Sequence, residues 1–204
     1  MRRSIVLLML LATPVSAQPM PPAGGPITCT SPVSVGDSAK SLMQRYGGEA
    51  VVQDDIRAGV EEITYRGVAL FTGQPDRRID VAFVDEDALR GVSRLTLHDA
   101  RTSRWSVAGV TLGATLAEVQ RINGRPFRII SFDSELNGFV ADWGGGMVGR
   151  GLPGGCTLKL RFGADSRVPA ALAREGRGRI SSDDAMLRRW APVVEQIKVR
   201  FATK

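Results

Sequence analysis

The sequence predicts an α+β protein built from two tandem helix-plus-antiparallel-sheet repeats, with the helices packed on one sheet face. Three observations predict it: a fifteen-residue segment recurs, the residues after each copy alternate apolar with polar, and glycine or proline separates the segments.

The recurring segments are 33–47 (VSVGDSAKSLMQRYG) and 110–124 (VTLGATLAEVQRING), at an offset of 77. Val33, Gly36 and Gly47 meet Val110, Gly113 and Gly124, while Ser34, Ser38 and Leu42 meet Thr111, Thr115 and Val119. Ser38 and Thr115 sit where a helix N-cap belongs, and Thr115 with Glu118 fits a capping box. Gly47 and Gly124 sit where a helix ends at positive φ, and Pro126 prevents continuation. Each helix spans about nine residues, too short to persist unless it packs against something.

Strands are expected at 49–54, 60–71, 79–84 and 92–97 after the first helix, and at 127–133, 137–143, 156–162 and 194–201 after the second. Leu158, Leu160 and Phe162 alternate with Thr157, Lys159 and Arg161, and Ile197, Val199 and Phe201 with Gln196, Lys198 and Arg200. Such one-sided strands suit a sheet with one wet face. The expected organisation is a leader at 1–17, a Pro/Gly-rich arm at 18–32, a first repeat at 33–100, a linker at 101–109 containing Trp105, and a second repeat at 110–204. An insertion at 164–192 carries a basic loop (Arg174 to Arg179) and a short helix from Ser182 to Trp190 with Ala185, Met186 and Trp190 inward.

The glycine, hydroxyl residue and terminal glycine (Gly36, Ser38, Gly47; Gly113, Thr115, Gly124), with the strands that follow, resemble the small-protein-A/outer-membrane-lipoprotein module and the related tandem fold of β-lactamase inhibitor protein. The resemblance covers 33–201 as topology and the two fifteen-residue segments as motif. It implies a binder of other macromolecules. The outer-membrane module is usually lipidated on cysteine, whereas Cys29 here follows Pro26-Ile27-Thr28 well beyond the leader.

Met1-Arg2-Arg3, the apolar run Ile5 to Ala12 and the small residues Val15-Ser16-Ala17 form a signal-peptide pattern, so a periplasmic or secreted protein beginning near Gln18 is expected. The run falls short of the roughly 20 residues a membrane span needs. Loss of Arg2 and Arg3 takes the net charge from +6 to +4, distributed as −4 over 37–99 and +7 over 150–204. Cys29 and Cys156 form a disulfide or remain as two buried thiols; no CxxC motif is present.

Little in the chain points to catalysis. His98 stands beside Asp99 at a strand end, where a solvated residue is the simpler expectation, and no GxSxG nucleophile turn accompanies it. One histidine and two widely separated cysteines leave no zinc pattern, so no metal or other cofactor is expected. Asp85-Glu86-Asp87 reads as a charged hairpin turn, and Asp54-Asp55 and Glu61-Glu62 flank a turn at Gly59. Gly144-Gly145-Gly146 lacks the GKS/T ending of a phosphate loop. Phe132, Phe139, Trp143 and Trp105 read as packing residues.

The remaining constellation is Lys159, Arg161, Lys198 and Arg200, which share one face if their strands are neighbours. It is either a site for an anionic partner or a solvated sheet face whose cationic stems cover apolar surface. The expected function is a non-catalytic envelope protein that recognises another protein through its sheet surface. The alternatives are a binder of anionic polymer or lipid headgroup and an enzyme whose site is dispersed in sequence. Nucleic acid is not an expected partner, because stacking aromatics are not interleaved with the cations.

Overall fold

The computed structural model describes residues 24–57, 63–98, 100–132, 137–163, 167–173 and 178–202. The leader and residues 18–23 of the arm therefore lie outside the described residues, as do Glu61-Glu62, Gly59, Asp99 and residues 174–177 of the basic loop.

The two capped helices form where expected. α1 (Ala39–Tyr46) starts on Ser38, which accepts from the Ser41 amide, while Ser41 Oγ accepts from the Ser38 amide. α2 (Leu116–Asn123) starts on the Thr115–Glu118 capping box and ends on Gly124 at a φ of 79°. The strands are β1 (Gly25–Ile27), β2 (Ala50–Arg57), β3 (Thr64–Leu70), β4 (Ile79–Asp85), β5 (Arg90–Leu97), β6 (Trp105–Val107), β7 (Arg128–Ile130), β8 (Val140–Asp142), β9 (Thr157–Gly163), β10 (Arg179–Ser181) and β11 (Val193–Arg200). A third helix, α3, covers Ala185–Trp190.

Their pairing overturns the predicted fold class. The described chain is mostly β, with three short helices and three sheets, and is not a pair of helix-plus-sheet repeats with helices packed on one face. β2, β3, β4 and β5 continue through β11 and β9 in one six-stranded antiparallel sheet. β7 and β8 leave the second unit and form a separate sheet with β10, a strand from the insertion. β1 runs parallel to β6. The physical reason is that alternation reports which face a side chain takes, whereas register and partner are set by long-range packing. Helices of eight and six residues are also too short to cover a sheet this wide.

The repeated segment has a local meaning within this architecture. The stretch before α1 runs along the start of β5, with Val92 N donating to Val35 O and Gly91 N to Asp37 O. The stretch before α2 does the same at the start of β11, where Gly113 N donates to Val194 O and Val194 N to Ala114 O. β5 and β11 are antiparallel neighbours, so the two caps reach the sheet from opposite ends. Gly113 is required there: its φ is 80°, and a Cβ would lie 2.4 Å from the Arg101 carbonyl oxygen.

One continuous core joins all three sheets. Leu95, Leu97, Leu158, Leu160, Phe162, Ile197 and Val199 line it from the large sheet, and Leu42, Val119, Ile129 and Trp105 are buried in the same cluster. In α3 the inward residue is Leu187; Ala185 and Met186, expected inside, are exposed, because Asp184 caps the helix and sets its phase. Cys29 and Cys156 form a disulfide with Cα atoms 5.5 Å apart. It ties the arm to the segment before β9, and Tyr46 and Arg45 add hydrogen bonds to the Pro32 carbonyl. No described helix is long and apolar enough to cross a membrane.

Candidate functional site

The face of the six-stranded sheet that turns away from Leu158, Leu160 and Phe162 carries polar side chains in ordered rows. The strand register sets one row as Val51, Ala69, Asp80, Thr96, Lys198 and Lys159, one residue from each strand. The next row on one side holds Ala82, Arg94, Arg200 and Thr157. On the other side Gln196 faces Arg161, and strand alternation adds Arg78 and His98.

The four cations expected to share a face therefore do so. Lys159 and Lys198 are directly opposite one another across β9 and β11, and Arg161 and Arg200 flank them. The sheet adds a cation that the sequence reading missed: Arg94 of β5 lies directly opposite Arg200. Two like-charge cross-strand pairs thus stand side by side, an arrangement that destabilises a sheet. Partial compensation is local. Arg161 Nη2 lies 3.2 Å from Glu195 Oε2 at a bulge in β11, and the Lys198 ammonium sits 5.3 Å from the centre of the Phe139 ring.

Towards β4 the face carries a buried ionic cluster. Asp80 has no exposed surface; its Oδ1 accepts from Arg78 Nε at 2.9 Å, and its Oδ2 lies 2.6 Å from His98 Nε2. Arg78 also donates to Gln53 Oε1 at 3.1 Å. His98 is therefore not the solvated strand-end residue expected: it is 8% exposed and held by Asp80 across β4 and β5. Its partner is eighteen positions earlier in the chain, so only strand pairing reveals it. The arrangement orients an imidazole.

Between the cations and the Asp80 cluster lies unmet hydrogen-bonding capacity. Among the described residues six buried side-chain polar atoms lack a partner of good geometry, and five belong to this face: Tyr65 Oη, Arg94 Nε, Thr96 Oγ1, Arg161 Nε and Gln196 Oε1, although the Tyr65 phenol lies close enough to Arg94 and Thr96 to interact with both. Thr96 and Gln196 are 1% and 3% exposed, so their side chains are enclosed rather than wet. Tyr65 packs its ring 5.0 Å from the Arg94 guanidinium, and burial pushes its phenol up to about 12. It therefore remains a donor at ordinary pH. Four of the five atoms carry a hydrogen to donate.

The other motifs have structural explanations. The Gly144–Gly146 tract wraps the buried side chain of Asn123, and a Cβ on Gly146 would fall 2.2 Å from it. Asp85 to Asp87 form the β4–β5 turn, and among the described residues no group of three or more His, Cys, Asp or Glu could hold a metal. Trp105 is buried, donates to the Arg77 carbonyl and packs on Phe71. Comparison with protein-family models, curated proteins and solved structures returns no match, so the functional reading rests on this geometry.

Proposed function

We propose that this is an exported, non-catalytic binding protein of the cell envelope, and that an acidic segment of another protein lies across the polar sheet face. The single observation that carries the reading is the placement, side by side on one face, of the Arg94–Arg200 and Lys159–Lys198 cross-strand pairs. An acidic partner relieves the like-charge repulsion of these pairs, whose side chains are exposed or half-buried. The disulfide suits an oxidising compartment. Export is checked by the N-terminus of the protein recovered from the periplasm, expected at Gln18.

The test is capture from envelope extract by the oxidised protein, washed at low and then high salt, beside the Arg94→Glu/Arg200→Glu variant. A single protein retained at near-stoichiometric amount through high salt by the natural sequence, and lost from the variant, is the expected result. The excess of cations in these rows favours a second reading, an anionic envelope polymer or lipid headgroup. Under it all bound material leaves with salt, since screening at about 1 M ionic strength shortens the range of charge attraction to about 3 Å. Retention by the charge-reversed variant equal to that of the natural protein removes the sheet face from both readings.

A further inference from the structure

A second concentration of positive charge surrounds the C-terminal end of α2 and is separate in sequence from the sheet-face cations. Arg121, Arg125 and Arg188 line a cleft of about 420 Å³, whose other described lining residues are uncharged. A second cleft of about 270 Å³ shares Gly124 and Arg125 with the first and adds Arg150. Among the described residues no carboxylate lines either one. The helix macrodipole accounts for Arg121, in the last turn of α2. It does not account for Arg125, Arg150 or Arg188, which come from a turn, a 3-10 turn and α3.

Two of the guanidinium groups, those of Arg125 and Arg188, are held in place. Arg125 Nη1 donates to the Gly144 carbonyl at 2.9 Å. Arg188 Nε donates to the Ser182 carbonyl at 3.1 Å, and its Nη2 pairs with Asp183, which also accepts from Gln120. Behind the second cleft, buried Asn123 donates to the carbonyls of Arg125 and Trp143 and accepts from the Val148 amide, fixing the glycine turn that forms the wall. Arginines braced by backbone and side-chain contacts lose less freedom on gripping a multi-oxygen anion.

We infer that these adjoining clefts are a binding site for a phosphoryl group, with Arg121 and Arg125 as its principal contacts. The larger cleft is of the size that accepts an organic body as well as the anion. The shared chemistry is a phosphate ester, and its source is either a soluble ester or a phospholipid headgroup. The inference does not depend on the sheet face.

Calorimetric titration of the oxidised full chain with glycerol phosphate, and sedimentation with phosphatidylcholine vesicles with and without phosphatidic acid, test it. Saturable binding of glycerol phosphate supports the site with a soluble source; binding to the phosphatidic acid vesicles alone supports it with a lipid source. In either case Arg121→Gln/Arg125→Gln is expected to weaken binding about tenfold or more, the loss of a charge-assisted hydrogen bond or two. Arg121→Gln alone, whose side chain makes no hydrogen bond among the described residues, weakens it severalfold and guards against a folding defect. The charge-matched control Arg57→Gln/Arg90→Gln, on exposed positions of β2 and β5, leaves it unchanged. No binding to either probe, or equal weakening by the control, overturns the inference.

Discussion

Replacing Cys29 and Cys156 together by alanine removes a bridge between residues 127 apart in sequence. In the chain-entropy model, closing a loop of this length restricts the unfolded ensemble by about 5 kcal/mol at 25 °C. That is a large share of the roughly 5–15 kcal/mol by which domains are stable. Both cysteines are buried, so alanine also leaves a small void, while β1 keeps only its three-residue ladder to β6 and the hydrogen bonds of Pro32. The assay is urea unfolding by tryptophan fluorescence. With a slope of about 2 kcal/mol per M, the midpoint is expected to fall by about 2.5 M. The slope itself should rise, because an uncrosslinked unfolded chain exposes more surface. A fall below about 0.5 M at unchanged slope refutes the reasoning, since the bridge would then be holding two segments already fixed without it.

Three further outcomes follow from the packing. Ser38→Ala and Thr115→Ala each cost about 1 kcal/mol by loss of an N-cap, and the double variant loses the sum, measured by thermal unfolding; marked non-additivity counts against two independent caps. Asp37→Asn costs roughly 2 kcal/mol at neutral pH, a figure reduced for the exposure of Arg45, because the carboxylate accepts from Arg45, the Ser34 amide and Ser41. Burial alone would raise the Asp37 pKa, but these donors together hold it below its ordinary 3.8, so its contribution is complete above that pH and is lost as pH falls through the folded-state value; a variant with the same acid limb as the natural protein contradicts this. Gly67→Ala places a Cβ 2.3 Å from the Val81 carbonyl oxygen and is expected to cost about 1–3 kcal/mol as β3 shifts from β4; an unchanged melting temperature contradicts that close approach.

Local signals were legible in the sequence because they are stated within a few residues. Ser38 with Gly47, and Thr115 with Glu118 and Gly124, delimit helices whose caps form as drawn. Leu158 to Phe162 and Ile197 to Val199 alternate as read, and Lys159 meets Lys198 because two long alternating strands in the same half of the chain are neighbours. The sheet partners of β5 and β7 were not legible. Nothing within 90–97 states that it abuts 193–200, and nothing within 128–130 states that a three-residue strand from the insertion takes one of its edges. Arg94, Tyr65 and Gln196 were missed for the same reason: each is an ordinary polar residue until strand pairing gathers them. Asp80 did offer a sign, a carboxylate between Ile79 and Val81 in an apolar strand, and its burial with Arg78 and His98 is what that sign meant.

The two faces of the large sheet differ in how completely their chemistry is satisfied. The apolar face belongs to one continuous core that takes in the helices and both smaller sheets. The polar face holds buried Asp80 fully paired at one end, two like-charge pairs at the other, and five buried atoms without a partner of good geometry between them. An unsatisfied buried polar atom costs about 1–3 kcal/mol, and apolar residues of the same size at Thr96 and Gln196 would avoid that cost. Stability alone does not select such a face. Local rules that are obeyed elsewhere and broken together in one place point to the surface where the molecule meets something else. Here the broken rules share a sign: four of the five atoms are donors, and the opposed side chains are cations. On the proposed reading an anionic partner answers the opposed cations, which are exposed or half-buried, while the enclosed atoms stay within the sheet.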